Sequence, residues 1–116
     1  MIPPHILIWV SDMKRAVRFY TEILGLPLIF ESNEFSQIGG EKFWIALHIS
    51  SRSVDERSKF DSPIIVFKTD NVEKDYDKLK QKGIRFYRTP YQAAPAITAA
   101  GFMDSEGNEL SLSTAD

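Results

Sequence analysis

Apolar positions along the chain fall into short runs of alternating or continuous hydrophobicity and two longer stretches spaced at three and four. His5 to Val10 is short and apolar, as expected of a buried strand. Ser11 and Asp12 then offer side-chain oxygens to the first turn of a helix, in which Met13, Ala16, Val17, Tyr20, Ile23 and Leu24 form one apolar face and Gly25 is the stop. Strands are expected from Pro27 to Glu31, more weakly from Glu34 to Ile38, and from Lys42 to Ile49 after a Gly39-Gly40 hairpin turn.

After the polar segment SSRSVDERSKFDS the order begins again. A strand is predicted from Pro63 to Thr69 and a helix opened by Asp70, with Glu73 completing a capping box. That helix carries only Val72, Tyr76 and Leu79 on its apolar face, so it should lie more shallowly on its sheet. Strands follow near Ile84 to Arg88, from Ile97 to Met103 and from Glu109 to Ser113, the last two joined by the turn DSEGN. Asp12 precedes Gly25 by the same interval as Asp70 precedes Gly83, and the halves superimpose at an offset of 58 residues, half of the 116. Internal duplication is the simplest reading: one domain over residues 1–116, with module one at about 1–50, a linker at about 51–62 and module two at about 63–116.

Composition narrows the chemistry. The chain has no cysteine, so disulfides, thiolate metal sites and cysteine nucleophiles are excluded, and any metal must take nitrogen and oxygen ligands. Fourteen basic residues against sixteen acidic ones, without runs of one sign, disfavour nucleic acid and membrane surfaces as partners. The N-terminal run MIPPHILIWV lacks a basic region and a small-residue cleavage site, and no segment approaches the ~18 apolar residues of a membrane span. A cytoplasmic protein is the expectation.

The motif D-x-x-R-A-x-x-F-Y-x-x-x-L-G-L is carried by Asp12, Arg15, Ala16, Phe19, Tyr20, Leu24, Gly25 and Leu26. F-x-D-x-x-G-N follows near the end in Phe102, Asp104, Gly107 and Asn108. Two such motifs at opposite ends of a duplicated chain resemble the vicinal oxygen chelate superfamily, which includes glyoxalases, bleomycin-resistance proteins, fosfomycin-resistance transferases and extradiol dioxygenases. The resemblance implies an α+β fold: two tandem βαβββ modules forming a curved mixed sheet, with a ligand cup on one side and the helices on the outer face. Strand alternation agrees, because Ile6, Ile8, Val10, Phe43, Ile45, Leu47, Ile49, Leu110 and Leu112 can face the helices. His5, Leu7, Trp9, Trp44, Ala46, His48, Glu109, Ser111 and Ser113 are then left for the cup. Among these Leu7, Trp9, Trp44, Ala46 and Ser111 are the candidate ligand contacts.

In metal-dependent members of that superfamily the ligands come from the first strand, the fourth or fifth, and the last. His5 stands at the first of these positions, but Ala46, Ile64 or Pro63, and Ser111 stand at the others. A two-residue shift along a strand keeps the face and moves a side chain by about 7 Å. His48 and Glu109 are so placed, giving a His5, His48 and Glu109 metal set of two-histidine, one-carboxylate composition. His48 and Glu109 are also the candidate acid-base residues. His5, His48, Trp9 and Trp44 read equally as ordinary strand and packing residues, and Asp104, Gly107 and Asn108 as turn chemistry.

Two functions follow from the resemblance. One is small-molecule binding of the bleomycin-resistance type, which needs no cofactor. The other is a metal-dependent glyoxalase-like lyase or dioxygenase holding iron, manganese, nickel or zinc on His5 and the shifted ligands. A homodimer is implied in either case. The segment TPYQAAPAITAAG, with two prolines and few charges, is expected to cover the cup or touch a partner chain.

Overall fold

A computed structural model describes residues 5–40, 42–49 and 64–115. The polar segment 51–62 and Pro63 lie outside the described residues. The chain forms two compact units, 1–57 and 58–116, each built on its own four-stranded mixed sheet.

In module one the elements are β1 (Ile6–Val10), α1 (Met13–Arg18), β2 (Leu28–Phe30), β3 (Phe35–Gly39) and β4 (Trp44–Ile49). The spatial order is β1-β4-β3-β2, with β1 parallel to β4 and the other pairs antiparallel. Helix α1 packs on β4 and β3. Its core is made by Val10, Ala16, Tyr20, Ile38 and Leu47, each fully buried. Asp12 caps α1 as expected, its carboxylate accepting from the Arg15 N–H at 3.0 Å.

The first helix departs from expectation beyond Arg18. Residues Phe19–Ile23 form a π-turn, in which the Leu24 N–H reaches back to the Phe19 carbonyl at 3.0 Å. Phe19, at the start of that turn, is buried in the core beside Tyr20 at a ring separation of 5.3 Å.

Module two has β5 (Ile65–Lys68), α2 (Val72–Gln81), β6 (Phe86–Ala94), β7 (Ile97–Met103) and β8 (Glu109–Ser113), in the order β5-β8-β7-β6. Strands β5 and β8 are parallel and the other pairs antiparallel. The apolar-poor α2 buries only Val72 and Leu79 and anchors itself through Tyr76, whose ring meets Phe86 edge-on at 4.6 Å. Phe86 in turn meets Phe102, and Phe102 meets Phe67, so aromatic contact continues across the helix-facing side of this sheet.

Two further expectations are corrected here. The cap of α2 is Asn71, not Asp70: its side chain accepts from the Lys74 N–H at 3.0 Å. Thr69 selects it, because the Thr69 hydroxyl receives the Asn71 N–H and itself donates to Asp75 inside the first turn. The caps therefore stand 59 residues apart while Gly25 and Gly83, both left-handed (φ 79° and 89°), stand 58 apart. The π-turn takes up the difference of one residue.

The second correction concerns TPYQAAPAITAAG, which is sheet rather than cover: β6 runs on to Ala94 and a two-residue turn leads into β7. Its composition misled because β6 is an edge strand with three register shifts against β7, where Pro90 costs no ladder bond to a second neighbour.

Candidate functional site

The face of the module-one sheet turned away from α1 is fixed by register. Leu7 lies beside Ala46 and Trp9 beside His48, while across β3 Phe35 pairs with His48, Gln37 with Ala46 and Gly39 with Trp44. At one end His5, just before β1, stacks on Trp44 with ring centroids 3.8 Å apart and planes 17° from parallel. At the other end Trp9 meets His48 edge-on at 5.0 Å, and Phe35 approaches His48 at 6.4 Å. Phe30 on β2 continues the row beside Phe35. Trp9, Leu7 and Phe30 are about half exposed. Between the aromatic ends lies Gln37, partly buried, whose amide supplies a donor and an acceptor to an otherwise apolar floor. Ala46 has no exposed surface, so it is floor under its neighbours and not a ligand contact.

His48 is oriented by its own backbone. Its Nδ1 lies 3.0 Å from the Ile49 carbonyl, which can only accept, so Nδ1 carries a proton and, of the two neutral tautomers, this contact selects the one with its lone pair on Nε2. That is the tautomer a general base or a metal ligand at Nε2 would need.

The histidine pair does not converge. His48 is in register with Trp9, four residues along β1 from His5, which is a separation of about 13 Å at ~3.3 Å per residue. Two bonds of ~2.1 Å to one ion require ligand atoms within about 4 Å of each other. His5 is moreover flat against Trp44. Among the described residues no group of three or more histidine, aspartate or glutamate side chains is placed to hold a metal ion. The residues thus do not fit the two-histidine, one-carboxylate set anticipated from the sequence.

Glu109 and Ser111 belong to module two, on the face of its sheet turned away from α2. Ser111 is in register with Gly101 of β7 and Val66 of β5, and its hydroxyl lies 3.1 Å from the Ala100 carbonyl and 3.3 Å from that of Leu112. Glu109, in register with Met103, is partly buried. Tyr87 from the edge strand lies over Gly101 on the same face, its hydroxyl 3.4 Å from the Leu110 carbonyl. Burial, then the Glu109 carboxylate, then Tyr91 push the Tyr87 phenol above its ordinary value of 10.0, against a smaller opposite pull from Arg88. Asp104 and Asn108 are turn residues as expected: the buried Asp104 carboxylate accepts from the backbone N–H groups of Glu106 and Asn108 and from the Asn108 side chain at 2.7 to 2.8 Å.

Sequence reasoning missed Gln37, Phe35, Phe30 and Tyr87. Alternation could have found the first two, since burying Ile38 turns Gln37 to the opposite face. Tyr87 was hidden by the register shifts of β6, which break strict alternation.

Known proteins with this arrangement are numerous. Metallothiol transferase FosB of Lysinibacillus sphaericus (strain C3-41) is 28% identical over 112 residues, covering 95% of this chain and 79% of its own. Protein YraH of Bacillus subtilis (strain 168) is 26% identical, covering 93% and 94%. Among solved structures, UcmS2 superposes with a TM-score of 0.80 at 24% identity, covering 99% of this chain and 98% of its own. Lactoylglutathione lyase from Agrobacterium tumefaciens gives 0.75 at 14% identity, covering 97% and 95%, a likeness of fold alone. The match to the family itself runs over residues 2–112, nearly end to end. The chain belongs to the Glyoxalase/Bleomycin resistance protein/Dioxygenase superfamily.

Proposed function

We propose that the protein binds a planar, largely apolar small molecule on the aromatic face of module one. Trp9 and Phe30 act as platforms, and Gln37 fixes orientation through its amide. The observation that supports this reading is the exposure of large apolar side chains on a face where burial would be expected: Trp9 is 47% and Phe30 51% exposed, beside the polar Gln37. Catalysis is not needed for this role, and His5 serves it as a ring stacked beneath the rim at Trp44.

Titration with a planar probe such as 1-naphthol, followed by tryptophan fluorescence, tests the proposal. Saturable quenching is expected, weakened at least tenfold by Trp9→Ala. Absence of saturable binding, or equal binding by the variant, overturns it. A stoichiometric divalent metal in the freshly purified protein would instead favour the metal-dependent lyase or dioxygenase reading, with no more than one of His5 and His48 among its ligands. We further propose that two copies associate as a homodimer, supported by the apolar edge strand β2, where Leu28, Ile29 and Phe30 are each about half exposed.

A further inference from the structure

The aromatic face of module one has a hydrogen-bonding polarity of its own, set by two side chains. Gln37 is in register with Ala46, and His48 lies two residues farther along β4, so the two stand diagonally across the β3-β4 pair. Diagonal positions of this kind are about 7 to 8 Å apart, within reach of a single ring laid between them. The Ile49 carbonyl engages His48 at Nδ1, which leaves Nε2 of the neutral ring as an acceptor. Among the described residues neither Nε2 nor the Gln37 amide has a hydrogen-bond partner, and no buried polar side-chain atom lacks one. Both groups are therefore open to solvent.

Charge around this end of the sheet is of one sign. Among the described residues, β1, β3 and β4 place no lysine or arginine on the face, and Lys42 precedes Trp44 at the far end of β4 from His48. Within two residues of the strand ends near His48 the described charges are Asp12, Glu31 and Glu34. Arg15 comes nearest of the basic residues, with its guanidinium 3.5 Å from the Ser11 hydroxyl beyond the end of β1. An anionic ligand would meet acids here. A neutral ligand with an O–H meets a waiting acceptor. Covering Nε2 with an atom that cannot donate strips its water and gives nothing back, so the O–H is what the site discriminates by.

We infer that the ligand of this face is a neutral hydroxyarene, a phenol whose O–H donates to His48 Nε2 while its ring lies against Trp9 and Gln37 meets a second polar substituent. This names the ligand class for the binding proposed above and rests on that reading.

Calorimetric titration of the full chain at neutral pH with 1-naphthol, 1-methoxynaphthalene and 1-naphthoate tests it. Naphthol should bind at least tenfold tighter than its methyl ether and than the carboxylate. In nitrogen NMR the His48 Nε2 resonance should move with naphthol and stay in place with the ether. His48→Phe keeps a ring beside Trp9 and removes the acceptor, so it should lower naphthol to the affinity of the ether and leave the ether unchanged. Where that variant does not fold, the three probes and the nitrogen resonance of the wild type decide. Equal binding of naphthol and its ether overturns the phenol assignment while the planar-ligand reading stands. A preference for naphthoate does the same and points to a cation at the face. Binding of none of the three overturns both.

Discussion

At the scale of single residues, the two buried or half-buried acids and phenols of module two have measurable roles. Asp104 receives two backbone N–H groups and one side-chain amide in the turn between β7 and β8. Replacing it by alanine leaves those donors without partners, so Asp104→Ala should cost about 3 kcal/mol in urea unfolding, and Asp104→Asn less. Tyr87 has a phenol raised above 10.0. The native state therefore holds its proton longer than the unfolded chain, and the associated stability is complete below the unfolded value near 10. It is lost as pH climbs from there through the folded value. Melting temperature should fall more steeply above pH 10 in the wild type than in Tyr87→Phe, and Glu109→Gln should bring the phenol partway back, as read by ultraviolet titration. At this scale the sequence was readable where chemistry is local. Asp12 as cap and Asp104 as turn acid could be named from neighbours alone. Tyr87 could not, because its position depends on the register shifts of β6 against β7.

Elements were legible in proportion to how regular they are. Strands β7 and β8 have the bounds that alternation predicts, Ile97–Met103 and Glu109–Ser113. The π-turn was invisible because Ile23, Leu24 and Gly25 satisfy a regular helix as well. Strand β6 is expected to end near Arg88, with the two-proline, charge-poor segment after it as a cover or partner contact, whereas it runs on to Ala94. Its connection to β7 pairs Ala94 with Ile97 through Pro95 and Ala96, and Ala96 has φ 61°, the left-handed value that a type II turn wants from glycine. The alanine is strained there. Ala96→Gly should raise stability by about 1 kcal/mol, seen as a melting temperature a few degrees higher.

For the whole molecule, the duplicated order of strands and helices was legible, and the metal set was not, for a physical reason. Face alternation tells which side a residue is on, but register tells how far along the strand it lies, and only pairing with β4 places His48 beside Trp9 and four residues from His5. Among the described residues no helix is long and apolar enough to cross a membrane. The two modules differ in how their sheets end. Strand β6 ends one sheet with Pro90 and three register shifts, a rim on which another strand cannot easily be laid. Strand β2 ends the other with Leu28, Ile29 and Phe30 half exposed and no proline within it. Ile29→Lys should therefore convert the proposed dimer to monomer in gel filtration at low micromolar concentration. A wild type already monomeric there would overturn the dimer. The contrast between the rims of β2 and β6 also bears on handling: precipitation at high concentration would start from Leu28, Ile29 and Phe30 sooner than from β6, and a single lysine among them should keep a concentrated solution clearer.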